Sequence, residues 1–308
     1  MRKAFTFIEL IFVIMVIGII AKFGTSLFVT AHVAAASTSI HNRLHSDTDL
    51  ILQQISNRLQ YRIKESVVTR TSLTGTATAL ASTTGAPTIL EWVGYDIDGW
   101  LGIHDGTFNK PTWSGFIDVS SGATLETAPN TNFLASPGTN TADINTTIQA
   151  INSTVGGGGS GISNSAVFFT GANSDVSTDY GWNTTTALGT QADVAAHRIT
   201  SEPTVTRLTK NAATTDFTGT DVYENYKLAW TAYALELNPT TGNLFLHYDY
   251  QPWEGERPTN ANGVLLLQNV DTFKFVSVGD SIQVQVCVND ANTLGEGLYA
   301  ICKEISIF

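Results

Sequence analysis

Hydrophobic positions fall into three regimes along this chain. From Phe5 to Ala21 they are almost continuous, FTFIELIFVIMVIGIIA, interrupted by one charge, Glu9, and preceded by Met1, Arg2, Lys3 and Ala4. Farther on, Ile40, Leu44, Ile51, Ile55, Leu59, Ile63 and Val67 recur mostly every fourth residue. Asp47, Asp49, Gln53, Arg58 and Lys64 lie largely off that stripe, the pattern of an amphipathic helix. No proline occurs before Pro87, so the spacing predicts one helix from about Phe5 to Val67, roughly 60 residues and on the order of 90 Å long.

The third regime has the two-residue period of strands. Thr69 to Thr88 is polar and reads as irregular, and short strands are expected at Ile89 to Tyr95, Gly115 to Val119 and Ala166 to Thr170. Arg198 to Leu208 reads as a further strand in which Pro203 marks an edge or a break. Ser120 to Ser165, with Gly156 to Gly159 near its end, reads as an inserted, mobile surface region. Lys227 to Leu237 and Leu244 to Tyr250 flank a hairpin connection, Asn238 to Asn243, and place Leu244, Leu246, Tyr248 and Tyr250 on one face.

The end of the chain can be registered by arithmetic. A two-residue turn at Gly279 and Asp280 pairs Val278 with Ser281, Phe275 with Val284 and Phe273 with Val286. Placing Cys287 opposite Cys302 then sets Val288 against Ile301, Val284 against Ile305 and Ile282 against Ile307. Only Lys303, opposite Val286, breaks the apolar pairing. A one-residue slip would reverse every face, so the agreement supports both the register and a Cys287–Cys302 disulfide. The fold class expected is α+β: a long N-terminal helix packed on a C-terminal antiparallel head.

Composition narrows the function classes. Charged residues are 14% of 308, Thr, Ser, Gly and Asn are plentiful, and the formal net charge is -11. An acidic surface without a dense basic run in the head argues against nucleic acid as a partner. Two cysteines in one plausible bridge suit an oxidising compartment. The basic leader before the apolar run places the N-terminus in the cytoplasm and the bulk outside.

Candidate chemistry is sparse. His41 and His45 stand one helical turn apart, a metal-capable spacing, but no third ligand is evident and they read as exposed helix histidines. Asp96, Asp98, Gly99, His104 and Asp105, and later Asn289, Asp290, Asn292 and Glu296, could hold calcium but read first as turns. No cofactor is otherwise implied. G-x-S-x-G fails at Ser160, where Ile162 replaces the second glycine. Asn145 lies in a D-x-N-x-T sequence and is a candidate glycosylation acceptor, while Asn152 and Asn183 carry sequons without the acidic residue. No nucleophile and base stand at recognisable spacing, so an enzyme is not expected.

The apolar N-terminal run admits three readings. A secretory signal could use Ala34, Ala35 and Ala36 as its cleavage site, but uncharged sequence broken only by Lys22 runs on to Ile40, long for a signal core, and Glu9 sits inside it. A plain membrane anchor needs about 20 apolar residues, which Phe5 to Ala36 supplies. Third, RKAFTFIELIFVIMVIGIIA resembles the N-terminus of type IV prepilins and type II secretion pseudopilins.

That resemblance implies cleavage between Ala4 and Phe5 by a prepilin peptidase and N-methylation of Phe5. It also implies assembly through the Phe5 amine and the Glu9 carboxylate of neighbouring subunits. A carboxylate at a bilayer centre costs roughly 2.5 kcal/mol or more, which a partner amine offsets. Ala4 stands where the family usually has Gly, and no proline lies near Ser26. Gly263 to Phe308, with Leu265, Leu266, Leu267, Gln268, Asn269 and Val270 before a strand pair, resembles the end of J-type pseudopilins and W-type minor pilins.

The expected division is a leader at 1–4, a transmembrane and assembly helix at 5–36, and an amphipathic continuation at 37–68. A variable Thr/Ser/Gly-rich region with short strands follows at 69–225, then a C-terminal sheet with the disulfide at 226–308. Implied partners are the peptidase, other pilin or pseudopilin subunits, an inner-membrane assembly platform and inner-membrane lipid. The implied location is the bacterial inner membrane with a periplasmic head, and a filament at the cell surface follows from assembly. The competing class is a permanently anchored surface adhesin or receptor.

Overall fold

The computed structural model describes residues 6–104, 107–108, 110–120, 132–154, 161–200, 204–260, 262–290 and 300–308. Helix α1 (Phe7–Leu59) leads into β1 (Val68–Arg70), β2 (Thr78–Ala79), β3 (Ile89–Gly94) and a short helix α2 (Ile97–Leu101). Next come β4 (Ile103–His104), β5 (Thr107–Phe108), β6 (Phe133–Ala135), helix α3 (Thr141–Thr154), β7 (Ala166–Phe169), β8 (His197–Thr200) and β9 (Arg207–Lys210). The last part holds β10 (Tyr226–Ala229), β11 (Thr231–Asn238), β12 (Asn243–Tyr250), β13 (Asn262–Leu267), β14 (Val270–Val278), β15 (Ser281–Asn289) and β16 (Ala300–Ile307). The fold is α+β, with the long helix followed by antiparallel sheets.

The larger strands form three sheets, in the orders β13-β12-β11-β3-β1-β2, β10-β7-β8-β9-β6 and β14-β15-β16. One core lies between the second half of α1, the three-stranded sheet and one face of the six-stranded sheet. There Leu44, Ile51, Ile55 and Leu59 meet Val284, Val286, Leu90 and Leu235. The other face of the six-stranded sheet carries Ile89, Val93, Ala232 and Ala234 against Tyr180, Trp182 and Trp253. A third core packs α3, through Ile144 and Ile148, on the five-stranded sheet. Strand β3 is buried on both faces, which is why Ile89 to Gly94 reads as a nearly unbroken apolar run.

The amphipathic stripe seats the helix as its spacing requires. Thr48 fills the gap in that stripe, fully buried, with its hydroxyl donating to the Leu44 carbonyl at 2.6 Å. The helix ends at Leu59, earlier than the expected Val67. Ile63 and Val67 are buried as expected but off the helix, because the backbone leaves to pair with the end of β3: Ile63 N–H donates to Val93 O and Tyr95 N–H to Tyr61 O. Arg62 fixes that exit. Its guanidinium, in a residue 2% exposed, donates to the carbonyls of Leu59 at 2.8 Å, Asp280 at 3.0 Å and Phe308 at 3.4 Å.

The expected C-terminal register is observed throughout, from Val278 opposite Ser281 to Cys287 opposite Cys302 and Ile282 opposite Ile307, and the Cys287–Cys302 disulfide is formed. Lys303, the exception in the apolar pairing, reaches α1, where its ammonium lies 2.5 Å from Asp49 Oδ1. This pair and Arg43–Asp290 at 3.2 Å link the helix to the sheet.

Other expectations are corrected. Thr69 to Thr88 contains β1 and β2, and β1 is covered because it pairs with β3. Gly115 to Val119 is not a strand; only Phe116 bridges to Asn225. Arg198 to Leu208 is a pair of strands, β8 and β9, joined across a break containing Pro203, which itself lies outside the described residues. Lys227 to Leu237 divides at Trp230 between two sheets, so strands from 226–308 contribute to three.

Tyr250 leaves the face of Leu244 and Leu246. Opposite Ala232 to Ala234, β12 carries one extra residue between His247 and Tyr250, with Asp249 at φ 62°, and the bulge turns Tyr250 into the second core. The Ser120 to Ser165 region is packed where described: β6 pairs with β9, and α3 is a core helix. Gly156 to Gly159 and Ser160 lie outside the described residues.

Replacing Arg62 with Met is expected to destabilise the head by about 2–4 kcal/mol, because three carbonyls lose a buried donor. Exposed Asn57→Ala is expected to change stability by less than about 0.5 kcal/mol. Denaturant unfolding of both variants in detergent checks this, and equal midpoints reject the role given to Arg62.

Candidate assembly helix and its setting

The helix changes character along its length. From Phe7 to Val33 the large apolar side chains are exposed, Phe7 at 79% and Phe28 at 71%, whereas Leu44 to Leu59 carry the buried stripe. It is long and apolar enough to cross a membrane. Glu9 is in its first turn and exposed, with its N–H donating to Thr6 O. Nothing lies within 4 Å of a side chain built at Gly18 or Gly24, so both are open on the bare helix surface. Thr25, Ser26 and Thr30 return their hydroxyls to carbonyls three or four residues back, which lets polar residues lie on an apolar helix. Ala4 and Phe5 lie outside the described residues.

The other sequence-derived positions are scattered through the head. His45 accepts from Lys303 at its Nδ1, 2.5 Å away, and lies 3.4 Å from Asp49, one turn on from His41. Asp96 caps α2 by accepting from Gly99 N–H at 3.1 Å, Asp98 is half-buried, and Asp290 is taken by Arg43. The side chain of His104, together with Asp105, Asn292 and Glu296, lies outside the described residues. Among the described residues no three His, Cys, Asp or Glu side chains are grouped to hold a metal. Asn145 lies half-buried within α3, and its side-chain oxygen accepts from Ile162 N–H at 3.1 Å.

Sequence reasoning missed three buried arginines and the helices α2 and α3. Arg70 donates to Glu91 Oε1 at 2.5 Å and to Trp182 O at 2.6 Å, and Tyr250 OH donates to Glu91 Oε2 at 3.2 Å. Burial pushes the Glu91 carboxyl up and Arg70 pulls it back. Arg198 grips Glu254 with two donors, and Arg62 is described above. Nothing in a β-rich sequence marks which arginine turns inward. The signal for α3 was present: Asn140, whose oxygen accepts from Ala142 and Asp143 N–H, followed by Ile144, Ile148 and Ile151 at helical spacing.

Burial shifts several groups strongly, among them His197 and Asp96. Burial holds His197 down to about 4, so it is neutral at pH 7. Burial raises Asp96 to about 7, against the hydrogen bond from Gly99, and neither its Oδ2 nor the nearby Thr112 Oγ1 has a hydrogen-bond partner. No family model, curated protein or solved structure matches this chain.

Asp96 gives a pH prediction. Its folded value lies above the unfolded 3.8, so the folded state holds the extra proton between about pH 4 and pH 7. Stability is therefore greatest near pH 4 as far as this group is concerned, and falls as pH rises to about 7, by roughly 2–4 kcal/mol. Unfolding midpoints compared across that range for the parent and Asp96→Asn test this. The variant is expected to flatten the slope, and an unchanged slope rejects the assignment.

Proposed function

We propose that this chain is a structural subunit, a minor pilin or pseudopilin, of a type IV pilus or type II secretion filament. In this reading the first half of α1 holds the precursor in the inner membrane with its head in the periplasm. Prepilin peptidase cuts between Ala4 and Phe5, Phe5 is N-methylated, and the inner-membrane assembly platform passes the subunit into the filament. There the Glu9 carboxylate pairs with the Phe5 amine of the adjacent subunit, which offsets the cost of burying both charges. The role is architectural rather than catalytic.

The observation that carries the reading is the division of one helix. Its second half is buried by its own head, while the first half offers an apolar surface interrupted by Glu9 and Lys22. A bare helix of this kind is accommodated by lipid or by the same helix of other copies. The leader sequence and the position of Glu9 select assembly over simple anchoring.

Mass spectrometry of the mature protein from a host with the peptidase is expected to find N-methylated Phe5 at the terminus. An intact Met1 rejects the filament reading and favours a permanently anchored adhesin or receptor. Glu9→Ala is expected to leave membrane insertion intact and lower filament incorporation by about tenfold or more, the effect of losing roughly 1.4 kcal/mol. Sheared-filament immunoblots against membrane fractions measure both, and unchanged incorporation rejects the pairing.

A further inference from the structure

A pocket on the side of the head, walled by β7, β10 and the segment that follows α1, has the makings of a ligand site. Strands β7 and β10 set Phe168 opposite Lys227, and the Phe168 ring stacks on Tyr180 with centroids 5.6 Å apart and an 18° interplanar angle. With Ile63 and Ala195 these rings wall a cavity of about 260 Å³. Phe168, Tyr180, Ile63 and Ala195 are all buried, so the wall belongs to the packed head.

Lys227 supplies the polar end. Its side chain is half-buried in the lining, and its ammonium lies 4.9 Å from the Tyr95 ring centroid. Among the described residues no carboxylate lies within ion-pairing distance of it. Lys64 and Glu65, both exposed, complete the rim. Burial lowers the Lys227 pKa and Glu65 raises it, so the amine lacks the solvation of a surface lysine.

We propose that this pocket binds a small monocarboxylate with an apolar body, its carboxylate on Lys227 and its body against Phe168 and Tyr180. One half-buried amine matches one negative charge, and the rim charges of Lys64 and Glu65 oppose each other. The volume falls just below the roughly 300 Å³ at which ordinary ligand pockets begin, which limits the body to about one ring. A lone ammonium is a point donor that gains strength as water is excluded around it, and apolar walls supply that exclusion.

Benzoate is a suitable probe. Full-length protein with ¹³C-labelled alanine methyls, in detergent micelles at neutral pH, is titrated with benzoate while Ala172 and Ala195, both in the lining, are followed. Saturable shifts of these methyls are expected with a midpoint of about 1 mM, typical for so few ligand atoms. Lys227→Met is expected to raise that midpoint about tenfold and Lys227→Arg to hold it near the parent value. The methyl of Ala135, in β6 at the opposite edge of the five-stranded sheet from β7 and β10, should be unmoved in both variants, which verifies the fold. Absence of saturation, an unchanged midpoint in Lys227→Met, or equal binding of benzyl alcohol overturns the proposal.

Discussion

One helix carries two surfaces, a bare apolar half and a buried stripe, and the exit at Arg62 fixes how the second is joined to the head. For 53 residues the backbone bonds itself internally, which a membrane requires and a protein core tolerates. At Leu59 the arrangement ends, and the Arg62 guanidinium ties the last turn to the Asp280 turn and the Phe308 carbonyl. The end of the helix and the end of β16 are thereby locked together, although Arg62 and Phe308 lie 246 positions apart in sequence. At the other edge of the contact, Lys303–Asp49 and Arg43–Asp290 hold the helix where it leaves the head.

This arrangement makes the head a rigid mount. The three-stranded sheet lies against the helix with Val284 and Val286 fully buried, and the disulfide closes its β15–β16 connection on the far face. A bridge with a 15-residue separation contributes about 3 kcal/mol by restricting the unfolded chain. The six-stranded sheet then carries the load outward, its second face being covered by Trp182 and Trp253 from long loops. Arg198 on β8 pairs with Glu254 beside Trp253, and Arg70, paired with Glu91 across β1 and β3, donates to the Trp182 carbonyl, so both loops are tied to strands. Such pairs gain little over apolar packing, but they permit few alternative arrangements once buried.

The separation along the chain is physically economical. The apolar half of the helix makes no demand on the head's core, which is built from the second half of the helix and the sheets. The region from β6 to β10 with α3 stays clear of the helix: one face has its own core and the other packs, through Ala166, Phe168 and Ala229, on the far face of the six-stranded sheet.

Strong periodicity was readable from the sequence. The amphipathic stripe through Leu44 and Ile55, the run Ile89 to Gly94 and the pairing of Phe273 with Val286 follow from side-chain period alone, since a slip of one position exposes a whole apolar face. The exposed apolar half of α1 was equally legible, because continuous hydrophobicity requires no partner to be recognised. What the sequence could not decide was where a local pattern yields to a distant one. Ile63 and Val67 continue the helical spacing, yet the Ile63 backbone is claimed by β3 and the Val67 carbonyl accepts from Leu80 N–H; Tyr250 continues an alternation that one inserted residue reverses; Lys227 and Thr231 belong to one apolar run but to two sheets. Each outcome depends on hydrogen-bond partners many residues away, and so does the inward turn of Arg62, Arg70 and Arg198. Local preference fixes how a segment is built, and only the closed set of backbone and charge partners in the tertiary structure fixes where it stops and which way it faces.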